Sequence, residues 1–261
     1  MIRTAPAWPI TSGTATMLDR TSDANAASFD SIRDDVFSRI ASRYDVLCDL
    51  FSLGLHRTWK RRMARRIAQA PWQSMVDVAA GTGDIALRVV RHLGSASGRS
   101  CVVSDICPAM LEIAERRAGA LAGAMQFRVY DAHGLSEVGN ESVDLYSMSL
   151  GMKICDRARA MKEAWRVLKP GGAFICLEAS EIPLRFIHRL YLAYMGLCMP
   201  VVGYLATGGD ASAYHYLLSG VRGFPGAVEL AREIEALGFT DVGYERLSFG
   251  IVAIHVARKP G

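Results

Sequence analysis

Between Met75 and Glu178 the chain alternates between the two hydrophobic periods of strand and helix, and no other feature narrows its fold as much. Met75–Ala79 reads as a short buried strand, residues 80–84 as a turn, and Ile85–His92 as a helix. The pattern then repeats. Strands are predicted over Cys101–Asp105, Met125–Tyr130, Val143–Met148 and Ala173–Glu178, with helices over Pro108–Ala120 and Arg157–Leu168; the last is stopped by Lys169-Pro170-Gly171-Gly172. Alternation of this kind calls for an α/β domain with a mostly parallel sheet and right-handed crossovers.

The flanks add to that frame. Residues 1–34 are rich in Ala, Ser and Thr, show no period, and read as a disordered extension; Asp19, Asp23 and Asp30 argue against a targeting segment, which is normally poor in acid. One domain is expected over 35–261. Within it, 35–70 forms N-terminal helices broken near Gly54, and 183–218 forms an apolar helical lid. The helix Gly226–Leu237 is followed by two strands that form an antiparallel C-terminal edge.

Composition mainly excludes. The charged residues, 30 basic and 26 acidic, are mixed along the chain, so nucleic acid is not an expected partner. Only Arg57, Lys60, Arg61, Arg62, Arg65 and Arg66 gather, which suits either a solvated helix face or an anionic lipid surface. Six scattered cysteines lack metal-ligand spacing and suit a reducing compartment, the cytoplasm by default. No apolar run reaches the length of a spanning helix.

The strand ends carry the candidate ligand contacts. In Asp77-x-Ala79-x-Gly81-x-Gly83 the glycines allow a sharp turn and close approach of a ligand at the carboxyl end of the first strand. Asp105, followed by Ile106, ends the second strand, where a carboxylate can accept two ribose hydroxyls. Asp131 and Ala132 close the third strand, Ser147 and Ser149 the fourth. Asp77 and Asp84 flank the glycine loop, where acid disfavours a pyrophosphate and suits a cationic ligand. This favours S-adenosylmethionine over a nicotinamide dinucleotide.

Together these strands resemble the class I methyltransferases, a Rossmann-like fold, and two further segments resemble the ubiquinone/menaquinone-biosynthesis C-methyltransferase family. One is Tyr44-Asp45-Val46-Leu47-Cys48-Asp49-Leu50-Phe51-Ser52 with His56 and Trp59, in which Leu47 and Cys48 depart from the family's Met-Asn. The other runs from Arg166 to Gly172 and ends in Leu177-Glu178-Ala179-Ser180. The resemblance extends from about Phe37 to His255. It implies methyl transfer from S-adenosylmethionine to a ring carbon of a polyprenylated quinol precursor. It also places Thr82, Asp105, Asp131, Ala132 and Ser149 on the cofactor, with Tyr44 on the helices that cover the site. His56 and Trp59 read as packing residues. The family's G-[LI]-R-N becomes Gly151-Met152-Lys153-Ile154 here, and its D-A-D-S-Y-R-Y-L becomes Asp210-Ala211-Ser212-Ala213-Tyr214-His215-Tyr216-Leu217.

The expected catalytic groups are Lys153 as a cation and His215 as a base acting on a small aromatic acceptor. Two partner readings stay open, peripheral contact with a membrane surface and a homodimer. Two rival functions also stay open, a methyltransferase for a different small acceptor and a non-catalytic nucleoside-binding module.

Overall fold

The computed structural model describes residue 38 and residues 41–94, 98–207, 218 and 220–261. The expected N-terminal extension lies outside them. Helix α1 (Tyr44–Ser52) leads through Leu53 and Gly54, both left-handed, into α2 (Leu55–Gln69). The sequence then alternates as expected through β1 (Ser74–Val78), α3 (Asp84–Leu93), β2 (Ser100–Asp105), α4 (Pro108–Ala118) and β3 (Gln126–Val129). It continues with β4 (Val143–Ser149), α5 (Arg157–Val167) and β5 (Leu168–Ala179). Helix α6 (Arg185–Thr207) occupies the predicted lid. The chain closes with α7 (Ala227–Ala236), β6 (Thr240–Leu247) and β7 (Val252–Arg258).

The seven strands form one sheet ordered β3-β2-β1-β4-β5-β7-β6, with β1 to β5 parallel and β7 antiparallel to both its neighbours. The order reverses between β1 and β4, the place where doubly wound sheets open a crevice at their carboxyl ends. Alternation along each strand sends one set of side chains to each face. Met75, Leu145, Ile175 and Leu177 pack with Met63, Ile67 and Leu87 of α2 and α3, while Val76, Val78, Tyr146 and Phe174 pack with Met161, Ala164, Leu230 and Ile234 of α5 and α7. Full burial of each large apolar side chain contributes about 1.5–3 kcal/mol, enough for these two layers to hold the strand tips still.

Strand β5 begins at Leu168, five residues earlier than the sequence suggests. Lys169-Pro170-Gly171-Gly172 does end α5, but it bulges within the sheet instead of leaving it. The Gly171 amide donates to Lys259 O and the Lys259 amide to Gly172 O, each at 2.9 Å. Gly171 sits at φ +77, and a Cβ on Gly172 would lie 2.8 Å from Lys169 O, so this bulge needs its glycines.

Candidate active site

The loop after β1 turns on three positive φ angles: Ala79 at +51, Gly81 at +56 and Gly83 at +74. A Cβ on Gly83 would sit 2.9 Å from that of Ala114, so the missing side chain lets α3 start against α4; a Cβ on Gly81 would point at the Tyr44 ring, 3.8 Å away. Asp105 fixes this loop to the tip of β2. Its Oδ2 accepts from the Gly81 amide at 2.7 Å and its Oδ1 from the Cys107 amide at 2.9 Å. Leu150, after β4, is a second non-glycine residue at positive φ (+58). Left-handed backbone at Ala79 and Leu150 costs energy that tight packing must offset, and such strain clusters at functional sites.

These tips surround a cavity of about 80 Å³. Asp105 and Ile106 from the end of β2, Asp131, Ala132 and His133 after β3, Ala79 and Gly81 after β1, Ser149 of β4 and Tyr44 of α1 line it. Asp131 Oδ1 accepts from the His133 amide at 2.9 Å and lies 2.8 Å from His133 Nδ1. The Asp156 amide donates to His133 Nε2 at 2.9 Å, so the imidazole proton sits on Nδ1 and the ring ties β3 to the start of α5. Ser149 lines the cavity, and its buried Oγ has no hydrogen-bond partner among the described residues. A nucleoside fits this donor set: a carboxylate at the second strand tip, a glycine wall with no Cβ, and one orphaned hydroxyl.

The other expected ligands sit behind the cavity. Asp77 and Ser147 are buried side by side, the Ser147 hydroxyl donating to Asp77 Oδ1 at 2.6 Å. Thr82 is buried on the far side of the loop, where its hydroxyl donates to Asp45 and accepts from Arg117. Burial, only partly offset by the Ser147 hydroxyl, pushes the Asp77 carboxyl up to about 7. A carboxyl raised by folding binds more protons folded than unfolded between about pH 4 and 7, so its contribution to stability falls as pH rises through that window and is flat above it. Asp77→Asn should therefore gain melting temperature relative to wild type with rising pH across pH 4–7. A flat difference between the two melting profiles would refute the assignment.

A second, apolar cavity of about 460 Å³ adjoins the first, sharing Tyr44, Leu150 and Ile154 in its wall. Phe51, Trp59, Tyr191, Met195 and Met199 of α1, α2 and α6 supply much of its surface. Lys153 enters it from beneath. The Lys153 ammonium lies 3.2 Å from Glu178 Oε1 and also donates to Leu150 O, while its amide donates to Glu178 Oε2 at 3.1 Å. Glu178 is fully buried, so Lys153 is a paired, largely buried cation. His215, the expected base, lies outside the described residues together with the rest of 210–217. Trp59 packs as expected, its indole donating to Ser248 Oγ at 2.8 Å. His56, also read as packing, is buried but lines the apolar cavity. In the basic run Arg57, Arg61, Arg62 and Arg65 are exposed, as a solvated helix face would be, whereas Lys60 is buried 3.4 Å from Asp84; Arg62 and Arg66 pair with Glu245.

A mostly parallel sheet with an antiparallel edge and a carboxylate-bearing site across its strand tips is the architecture of the class I S-adenosylmethionine-dependent methyltransferases. Solved structures share this fold: a SAM-dependent methyltransferase from Thermotoga maritima superposes with a TM-score of 0.60 at 18% identity, covering 87% of this chain and 99% of that one. The chain belongs to the ubiE/COQ5 methyltransferase family, whose model matches residues 25–259. The 2-methoxy-6-polyprenyl-1,4-benzoquinol methylase of Schizosaccharomyces pombe mitochondria is 37% identical over 86% of this chain and 78% of its own length. The ubiquinone/menaquinone biosynthesis C-methyltransferase UbiE of Brucella anthropi is 40% identical, covering 86% of each. The protein is therefore an S-adenosylmethionine-dependent methyltransferase.

Proposed function

We propose that the acceptor is a polyprenylated quinol precursor methylated at a ring carbon, and that it occupies the apolar cavity. The observation that carries this is the adjoining pair of cavities, one bearing the carboxylates Asp105 and Asp131 and the other larger and almost wholly apolar, which meet at Tyr44, Leu150 and Ile154. Asp105, Asp131 and Ser149 hold the nucleoside, and the Gly81 backbone lies along it. S-adenosylmethionine supplies an electrophilic methyl on a sulfonium that loses its charge on transfer. The protein's part is to align the acceptor carbon and exclude water. Tyr44 separates the two compartments, and the Lys153 ammonium favours negative charge developing on the acceptor oxygen.

The cavity's rim suits a substrate delivered from lipid. Leu53, Leu55, Ile187, Leu190 and Phe249 line the cavity and are also solvent-exposed, with Phe186 and Leu197 exposed nearby on α6. Arg185 and Arg189 on the same helix are exposed and suit an anionic headgroup. No helix among the described residues is long and apolar enough to cross a membrane, so the contact is peripheral.

Both readings are tested together by supplying a short-tailed methoxybenzoquinol in anionic vesicles and following product by mass spectrometry. The expected result is a quinol heavier by one methylene, with the protein co-sedimenting with the vesicles. Production of S-adenosylhomocysteine with other aromatic acceptors but not with the quinol would overturn the substrate; product without co-sedimentation would overturn the membrane contact.

A further inference from the structure

Moving a methyl from a sulfonium to an aromatic carbon forms a C–C bond, breaks a C–S bond, and requires the acceptor to lose one proton overall. A ring hydroxyl that gives up its proton first turns the neighbouring carbon into a far better nucleophile. The apolar cavity is lined by six titratable side chains among the described residues: Tyr44, Cys48, His56, Lys153, Tyr191 and Tyr194. Four of them hold their protons firmly. Cys48 and burial keep Tyr44 well above its ordinary range, and burial raises Cys48, Tyr194 and Tyr191, the last to about 12. Lys153 is committed as a cation to Glu178.

We propose that His56 is the proton acceptor for the ring hydroxyl of the methyl acceptor, its Nε2 facing the apolar cavity while Nδ1–H is held from behind by Ser52 and Asp49. This rests on the quinol reading above. The Ser52 hydroxyl has one proton and donates it to Cys48 O at 2.6 Å, so toward the imidazole it can only accept. It does so from the His56 amide at 3.2 Å and from His56 Nδ1 at 2.9 Å, while Asp49 Oδ1 lies 3.6 Å from the same nitrogen. Nδ1 therefore carries the proton, and Nε2 keeps its lone pair. Among the described residues the His56 hydrogen bonds run through Nδ1 and the backbone amide, none through Nε2, and the His56 side chain lines the cavity.

The charges around the ring suit the task. Burial and the nearby Lys60 hold the imidazole below its ordinary pKa and thus neutral at pH 7, with Arg57 acting in the same direction and Asp49 and Asp84 against it. Once His56 takes the proton, Asp49 and the new phenolate stabilise the imidazolium. After transfer, the methylated carbon loses its hydrogen to water, and His56 returns a proton to the oxygen. One proton is released in all.

His56→Asn is the informative variant, because its amide nitrogen can replace Nδ1 toward Ser52 while nothing replaces Nε2. With the short-tailed quinol, kcat should fall about 10²–10⁴-fold, S-adenosylmethionine affinity should stay within threefold, and the acidic limb of the wild-type kcat–pH profile should disappear. Retention of kcat and of that limb by the variant, while wild type methylates the quinol, would overturn the role of His56 and leave the substrate reading intact. Absence of quinol methylation by wild type would instead remove the reading on which the proposal rests. A second measurement needs no variant: ¹⁵N NMR of histidine-labelled wild type should show a neutral Nδ1–H ring with an unprotonated Nε2 at pH 7. An Nε2–H ring would overturn the proposal even if Asn at this position prevented folding.

Discussion

Replacing Asp105 with Ala is expected to raise the dissociation constant for S-adenosylmethionine by about 10²–10⁴-fold, the largest loss of any single change at the strand-tip cavity. Its carboxylate accepts from two backbone amides, Gly81 and Cys107, which belong to the loops after β1 and β2 that line the first cavity. A carboxylate has about four acceptor positions, so holding these loops is compatible with accepting from ribose hydroxyls. Hydrogen bonds to a charged group contribute about 1.5–3 kcal/mol each. Loss of two such bonds to the ribose therefore amounts to roughly 3–6 kcal/mol, and each 1.4 kcal/mol is about a tenfold change in affinity. Asp105→Asn should fall between the two, since it keeps one accepting oxygen but turns an N–H toward a backbone amide. Isothermal titration reads the result directly. Binding by Asp105→Ala within threefold of wild type would show that the nucleoside is held elsewhere.

Most of the fold was legible because it depends on period. Strands β1 to β4 and helices α3, α4 and α5 fall within a few residues of where alternation and glycine turns put them. The sequence also put Asp105, Asp131 and Ser149 at strand ends, and there they line the first cavity. Asp77 and Ser147 show the limit. Asp77 lies two residues below Ala79, roughly 7 Å along the strand, and the pleat turns it toward α2 and α3, where Ser147 from the adjacent strand faces it. Acid near a glycine loop looks the same in sequence whether it points at the ligand or supports the loop from behind. Lys60 was misjudged for a related reason, since a lysine in an arginine-rich helix reads as solvated until the fold brings Asp84 against it. His56 could not have been separated from packing at all, because its interest depends on which ring nitrogen is held, and only the placement of Ser52 and Asp49 from the preceding helix reveals that.

Glu178 offers the second large effect, and it separates stability from chemistry. Its side chain is completely buried and accepts from the Lys153 ammonium, the Lys153 amide and the Ala179 amide. Glu178→Leu leaves a desolvated ammonium without its counter-charge, a change that typically costs about 3–5 kcal/mol. In a domain of this size 1 kcal/mol shifts the melting temperature by roughly 2–4 °C, so a fall of about 6–20 °C is expected. Lys153→Met should also destabilise, because it strands the carboxylate instead. Replacing both removes the charges together, and a buried pair exchanged for apolar groups is often close to neutral in stability. The double variant should thus melt nearer to wild type than either single variant does. Under the proposed role of Lys153 its methyl transfer should remain impaired, since the cation beside the acceptor oxygen is gone while Asp105, Asp131 and Ser149, proposed to hold the nucleoside, are untouched. S-adenosylmethionine affinity within a few-fold of wild type, beside a kcat reduced by about 10²-fold or more, is the expected pairing. If the stability losses of the two single variants simply add, the pair is not coupled. If the stable double variant turns over at the wild-type rate, Lys153 holds the wall of the cavity and takes no part in the reaction.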